Sequence, residues 1–142
     1  MYEYFYKYDE LLLKIRETIS KIETLKETIY SVKGVSYDDL PKQGNGNADI
    51  VYYLIEIEDL EDTLKSLYQQ KKELRNTYEL DIKKVNNLEY QTIIRMYYLD
   101  KNNLKEISSV IRKSYSYTRK MKKEAENEFL CEIVHNGTIK TF

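Results

Sequence analysis

The chain has 142 residues, of which 42% are hydrophobic and 33% are charged, so it is too apolar for a disordered protein. Its net charge of -1 excludes a uniformly basic nucleic-acid coat but leaves room for a local basic patch. A single cysteine excludes an intramolecular disulfide framework, and no apolar run approaches the ~18–20 residues that cross a membrane. The charged amino terminus is not typical of a signal peptide, so we expect a cytoplasmic protein that does not bind membranes.

Proline occurs once and glycine four times, which favours long helices and few turns. Tyrosine is common, at 15 residues, and we assign these tyrosines no collective function. Over residues 2–32, apolar side chains recur at spacings of three and four, which predicts one amphipathic helix that ends near Gly34. Its apolar positions are Leu12, Ile15, Ile19, Ile22, Leu25 and Ile29.

Residues 34–47 are rich in turn-forming types and predict an exposed loop, with Asn47 or Asp49 as the cap of the next helix. Residues 48–80 carry a coiled-coil pattern that is interrupted only by Lys71. The apolar stripe is Ile50, Tyr53, Ile57, Leu60, Leu64, Leu67, Leu74 and Tyr78. This stripe needs a partner: either the first helix folds back as a hairpin, or a second chain forms a homodimer. The sequence does not decide between these two arrangements, and we favour dimerisation as the use of this stripe.

Two short helices and a longer one are predicted next. Residues 90–98 form the first, residues 99–102 form a turn, and Asn103 caps the second helix, whose apolar face holds Leu104, Ile107 and Ile111. Arg112 and Lys113 form a tight turn, after which Ser114 caps the final helix. The inward positions of that helix are Thr118, Met121, Ala125 and Phe129. Two helices joined by such a short turn are typical of a helix-turn-helix.

Positive charge is concentrated on the turn and the final helix. Residues 110–123 contain six basic side chains and no acidic one, a local charge of +6. The basic residues are Arg112, Lys113, Arg119, Lys120, Lys122 and Lys123. A charge run by itself is usually a solvated helix face, but its place on the second helix of a helix-turn-helix favours binding to the DNA backbone.

The start of the final helix is expected to enter the major groove, where its side chains would contact base edges. The candidates for this contact are Tyr115, Ser116, Tyr117, Arg119 and Lys120, and Ser114 joins them in the predicted DNA-binding set. Lys122 and Lys123 are expected to contact phosphates. For Tyr115 there is an alternative, in which its ring packs against Ile111.

The same stretch resembles the fourth region of bacterial sigma factors. The likeness lies in YYLD at residues 97–100, LKEIS at residues 104–108 and SYSYTRKM at residues 114–121. In that family a Glu-Ile pair marks the supporting helix, and Ser-x-x-x-(apolar)-Arg opens the recognition helix. Lys113 stands where the family often has a turn glycine, and Thr118 replaces the usual valine or isoleucine.

Over residues 35–129 the layout also resembles phage-encoded late transcription regulators of the RinA/ArpU type. The resemblance implies a sequence-specific DNA-binding regulator, an activator from a phage or another mobile element, with double-stranded DNA as its partner. The amino-terminal helices would serve self-association or contact with RNA polymerase. The alternative is a protein-interaction module that binds RNA polymerase or another host protein without specific DNA recognition.

The sequence therefore predicts an all-α fold: a long helical hairpin or coiled coil over residues 1–80 and a helix-turn-helix domain over residues 81–130. Residues 131–142 form a tail in which Asn136-Gly137 predicts a small β-hairpin that begins near Val134. We expect no enzyme, no cofactor and no metal site. Cys131 and His135 could supply only two ligands, too few for structural zinc.

Overall fold

A computed structural model describes residues 1–33 and 45–135, and every regular element in these ranges is helical. The helices are α1 (Tyr2–Lys33), α2 (Asn45–Ile82), α3 (Leu88–Ile94), α4 (Leu104–Ile111) and α5 (Tyr115–His135). A π-helical turn at Arg95–Leu99 follows α3 directly. The predicted all-α class is confirmed for the described residues. None of their helices combines the length and the apolar character that a membrane span requires.

Two predicted boundaries are wrong. Helix α2 begins at Asn45, so Asn47 and Asp49 lie inside the helix instead of capping it. Helix α5 continues to His135, so Val134 belongs to a helix and not to the first strand of a β-hairpin. Ile133 explains the longer helix, because it is fully buried and extends the inward stripe of α5 beyond Phe129. Residues 136–142, with the Asn-Gly pair, lie outside the described residues.

The described residues divide into two compact units, each containing part of α1 and part of α2. In the unit of Glu10–Lys71, these two helices pack as a hairpin around Ile22, Ile29 and Ile57. Partly buried side chains surround this core: Leu25, Ile50, Tyr53, Leu60 and Leu64. The hairpin is thus the arrangement that the protein adopts. Because α1 covers this part of the apolar stripe, a homodimer has to use another face.

The other unit joins residues 1–9 to the described residues from Lys72 onward, and its centre is aromatic. The Phe5 ring is fully buried and lies 4.9 Å from the rings of Tyr78 and Tyr98 and 5.8 Å from that of Phe129. Tyr4 packs edge-on against Phe129 at 5.2 Å. Several tyrosines therefore share a structural role that we did not predict. The boundaries predicted at residues 80 and 130 concern functional domains and stay predictions.

Polar contacts stabilise the periphery of this second unit, around its aromatic centre. The Tyr4 hydroxyl donates a hydrogen bond to Asp81, and Lys101 forms an ion pair with Asp9. Arg95 donates to both oxygens of Glu79, at 2.8 and 3.0 Å. This hydrogen bond from Arg95 holds the pKa of Glu79 below its usual value.

Candidate nucleic-acid interface

Helix α4 begins with the predicted cap. The side-chain oxygen of Asn103 accepts a hydrogen bond from the Glu106 backbone N–H at 2.8 Å, which satisfies one of the unpaired donors at the helix start. The Asn102 side-chain amide also donates to the Glu106 carboxylate, at 2.8 Å. Ile107 is fully buried, and α4 packs against α5. Glu106 thus takes part in the cap of α4, and its neighbour Ile107 packs in the core.

A three-residue turn, Arg112 to Ser114, joins α4 to α5. Arg112 adopts the left-handed conformation, with φ 58° and ψ 45°, and ends α4. Its backbone N–H and that of Lys113 both donate to the Ser108 carbonyl oxygen. The left-handed position is therefore Arg112, one residue before the place where the sigma-factor pattern often has glycine.

The predicted Ser114 cap of α5 is confirmed. Ser114 Oγ accepts a hydrogen bond from the Tyr117 backbone N–H at 3.1 Å. Thr118 is fully buried, and its hydroxyl donates to the Ser114 carbonyl oxygen at 2.9 Å. Because this hydroxyl is paired inside the helix, a threonine can be fully buried at this position.

Two tyrosine–glutamate hydrogen bonds join α3 to α5. The Tyr117 hydroxyl donates to Glu89 at 2.8 Å, and the Tyr90 hydroxyl donates to Glu124 at 2.9 Å. The hydrogen bonds to these carboxylates, followed by burial, raise the pKa of both tyrosines. The partners are 28 and 34 residues apart, so no local pattern signals either contact. These bonds hold the first half of α5 against α3.

The basic side chains fall into two groups. Lys122 is held within the protein: it forms a 2.5 Å ion pair with Glu126 and lies 4.3 Å from the centre of the Tyr97 ring. The other five are exposed: Arg112, Lys113, Arg119, Lys120 and Lys123. The exposed group spans the turn and the first half of α5.

Tyr115, Ser116, Arg119, Lys120 and Lys123 line one shallow surface groove of about 370 Å³. Tyr115 is 53% exposed, so about half of its surface is open to solvent. The structure thus brings together five of the ten predicted DNA-contacting residues on one open face of α5. Tyr117 and Lys122 also make contacts within the protein that support this helix, and all ten residues remain predicted DNA contacts.

No family model, curated protein or solved structure matches the chain. The described residues also contain no group of three or more His, Cys, Asp and Glu side chains placed to hold a metal ion. Cys131 and His135 both lie in α5.

Arg112 gives a test of what the turn contributes. We expect Arg112→Gly to stabilise the protein by about 0.5 kcal/mol, because glycine relieves a left-handed strain of ~1 kcal/mol but has more freedom in the unfolded chain. The same change removes a cation from the exposed group and should weaken DNA binding. Urea denaturation and a DNA-binding titration measure the two effects.

Arg112→Ala is the matched control, because it removes the same charge and keeps the left-handed strain. We expect it to weaken DNA binding as much as Arg112→Gly does, without the gain in stability. Equal free energies of unfolding for the glycine and alanine variants would contradict the inference that the left-handed conformation strains the backbone at residue 112.

Proposed function

We propose that this protein is a sequence-specific DNA-binding transcription regulator in which α4, the turn and α5 act as a helix-turn-helix. The first half of α5 would lie in the major groove, with Arg119 contacting guanine and Lys120 and Lys123 contacting phosphates or bases. The resemblance to phage late regulators further suggests a transcription activator. RNA polymerase is then the expected second partner, and the protein's location is cytoplasmic.

One observation carries the proposal: five exposed cations lie on a short turn and on the opening turns of the helix that follows it. A chain with a net charge of -1 has no general surplus of cations, so their concentration here supports a local polyanion site. The open groove beside them exposes an aromatic ring and a hydroxyl, from Tyr115 and Ser116, which can contact thymine methyl groups and hydrogen-bonding base edges.

The supporting contacts favour a rigid recognition helix. Ser114 caps α5, and the Tyr117–Glu89 and Tyr90–Glu124 hydrogen bonds hold it on α3. Base discrimination depends on side chains whose backbone is held in place, because a bidentate hydrogen bond tolerates little displacement.

Selection from a pool of random duplex DNA tests the proposal. We expect enrichment of one short motif, and binding that weakens with salt at a log–log slope of about -3 to -5 for three to five phosphate contacts. A flat slope, or binding without any enriched motif, would contradict sequence-specific recognition. Capture of RNA polymerase subunits together with no DNA preference would instead support the protein-interaction module.

A further inference from the structure

An apolar surface remains exposed on the hairpin of α1 and α2, within the unit of Glu10–Lys71. We call it the outer hairpin face and define it by Lys26, Tyr30, Val51, Leu54, Ile55, Glu58 and Glu61. Its apolar side chains are 52–77% exposed: Leu54 52%, Val51 54%, Ile55 55% and Tyr30 77%. A contiguous set of such side chains at one place on a small protein marks an interaction surface.

The helical spacing shows that these residues form one surface. On α2, Leu54, Ile55 and Glu58 lie three, four and seven residues after Val51, so these residues share a side of the helix. This side is distinct from the one that carries Ile57 into the hairpin core. The outer hairpin face therefore stays exposed even though α1 covers the predicted apolar stripe of α2 in this unit.

A groove of about 520 Å³ runs between the two helices at this face. Tyr30 of α1 and Leu54 of α2 line it, and the core residues Ile29 and Ile57 also contribute to its wall. It offers a concave apolar site beside the projecting side chains of Val51 and Ile55. A surface with both a groove and projecting aliphatic groups can fit a copy of itself.

The charges on the face are of both signs. Lys26 lies on the α1 side of the groove, while Glu58 and Glu61 lie on the α2 side. In a two-fold dimer the same patch meets itself, so the lysine of each copy can face the glutamates of the other.

We propose that the outer hairpin face is the interface between two copies of this chain. The two apolar stripes on α2 pack against each other, and two sets of Lys26–Glu58/Glu61 contacts flank them. The interface is independent of the proposed DNA contacts, which lie in the other unit, so either proposal can fail without the other.

Sedimentation equilibrium of the full chain is the first test. We expect the wild type to dimerise, and Val51→Asp/Leu54→Asp to raise the dimer dissociation constant by at least about 100-fold. Leu13→Asp/Tyr68→Asp is the matched control, because these side chains are 51% and 46% exposed on the same two helices but lie outside the face. Circular dichroism checks that both variants stay helical.

A charge exchange tests the geometry of the contact. Lys26→Glu gives a chain with only acidic groups at these three positions, and Glu58→Lys/Glu61→Lys gives a chain with only basic ones. We expect each variant alone to be monomeric and an equimolar mixture to form a heterodimer. Ion pairing within one chain could not produce this recovery on mixing.

Three results would overturn the proposal. The first is a wild-type chain that sediments as a monomer throughout the micromolar range, which is also what a different protein as the natural occupant predicts. The second is a control variant that loses the dimer as completely as Val51→Asp/Leu54→Asp does. The third is a mixture of the two charge variants that stays monomeric.

Discussion

Replacing Arg119 and Lys120 together by alanine is expected to reduce affinity for the selected DNA motif by about two to three orders of magnitude. A contact from arginine to guanine contributes roughly 1–3 kcal/mol, the loss of a phosphate-contacting lysine lowers affinity further, and each 1.4 kcal/mol is a tenfold change in affinity. Both side chains are exposed, so the variant should keep its fold. Titrations at several salt concentrations should also show a smaller salt slope, because fewer counterions are released.

Arg16→Ala/Lys65→Ala is the matched control for this variant. It also removes one arginine and one lysine, both exposed, but from the hairpin unit. We expect its affinity and its preferred motif to stay close to those of the wild type. If the Arg119/Lys120 variant kept both as well, α5 would not be the helix that recognises DNA.

Phe5→Ala is expected to destabilise the unit that contains α3, α4 and α5 by about 3–5 kcal/mol, the usual cost of removing a buried phenylalanine ring. Phe5 is fully buried among Tyr78, Tyr98 and Phe129, so its removal leaves a cavity between α1 and the carboxyl-terminal helices. A loss of this size is a large part of the ~5–15 kcal/mol by which small proteins are stable. Urea denaturation measures the loss, and DNA binding should fall with it.

Tyr2→Ala serves as the comparison, because it removes an aromatic ring from the same helix at a position that is 63% exposed. We expect its free energy of unfolding to stay within about 0.5 kcal/mol of the wild-type value. Equal unfolding midpoints for the two variants would show that the aromatic cluster does not hold this unit together.

The candidate site was partly predictable because its helix caps and its turn depend on residues that are close together in the sequence. Asn103 and Ser114 each bond a backbone N–H three residues later, and this spacing is visible in the sequence. The exposure of single cations was not predictable in the same way. Lys122 and Lys123 are neighbours of the same type, yet only Lys122 meets Glu126 and Tyr97, because successive residues point to different sides of a helix.

The long helices could be predicted because the spacing of apolar residues alone specifies which face of each helix is buried. The sequence by itself therefore determined the helical class, the seam of the α1–α2 hairpin and the basic character of α5. Only the tertiary structure decided that α1 fills this seam and that Phe5 lies in the unit of α5. It also decided that Tyr117 binds Glu89. The physical reason is that periodicity records that a face must be buried but not what buries it, which depends on residues far apart in the chain.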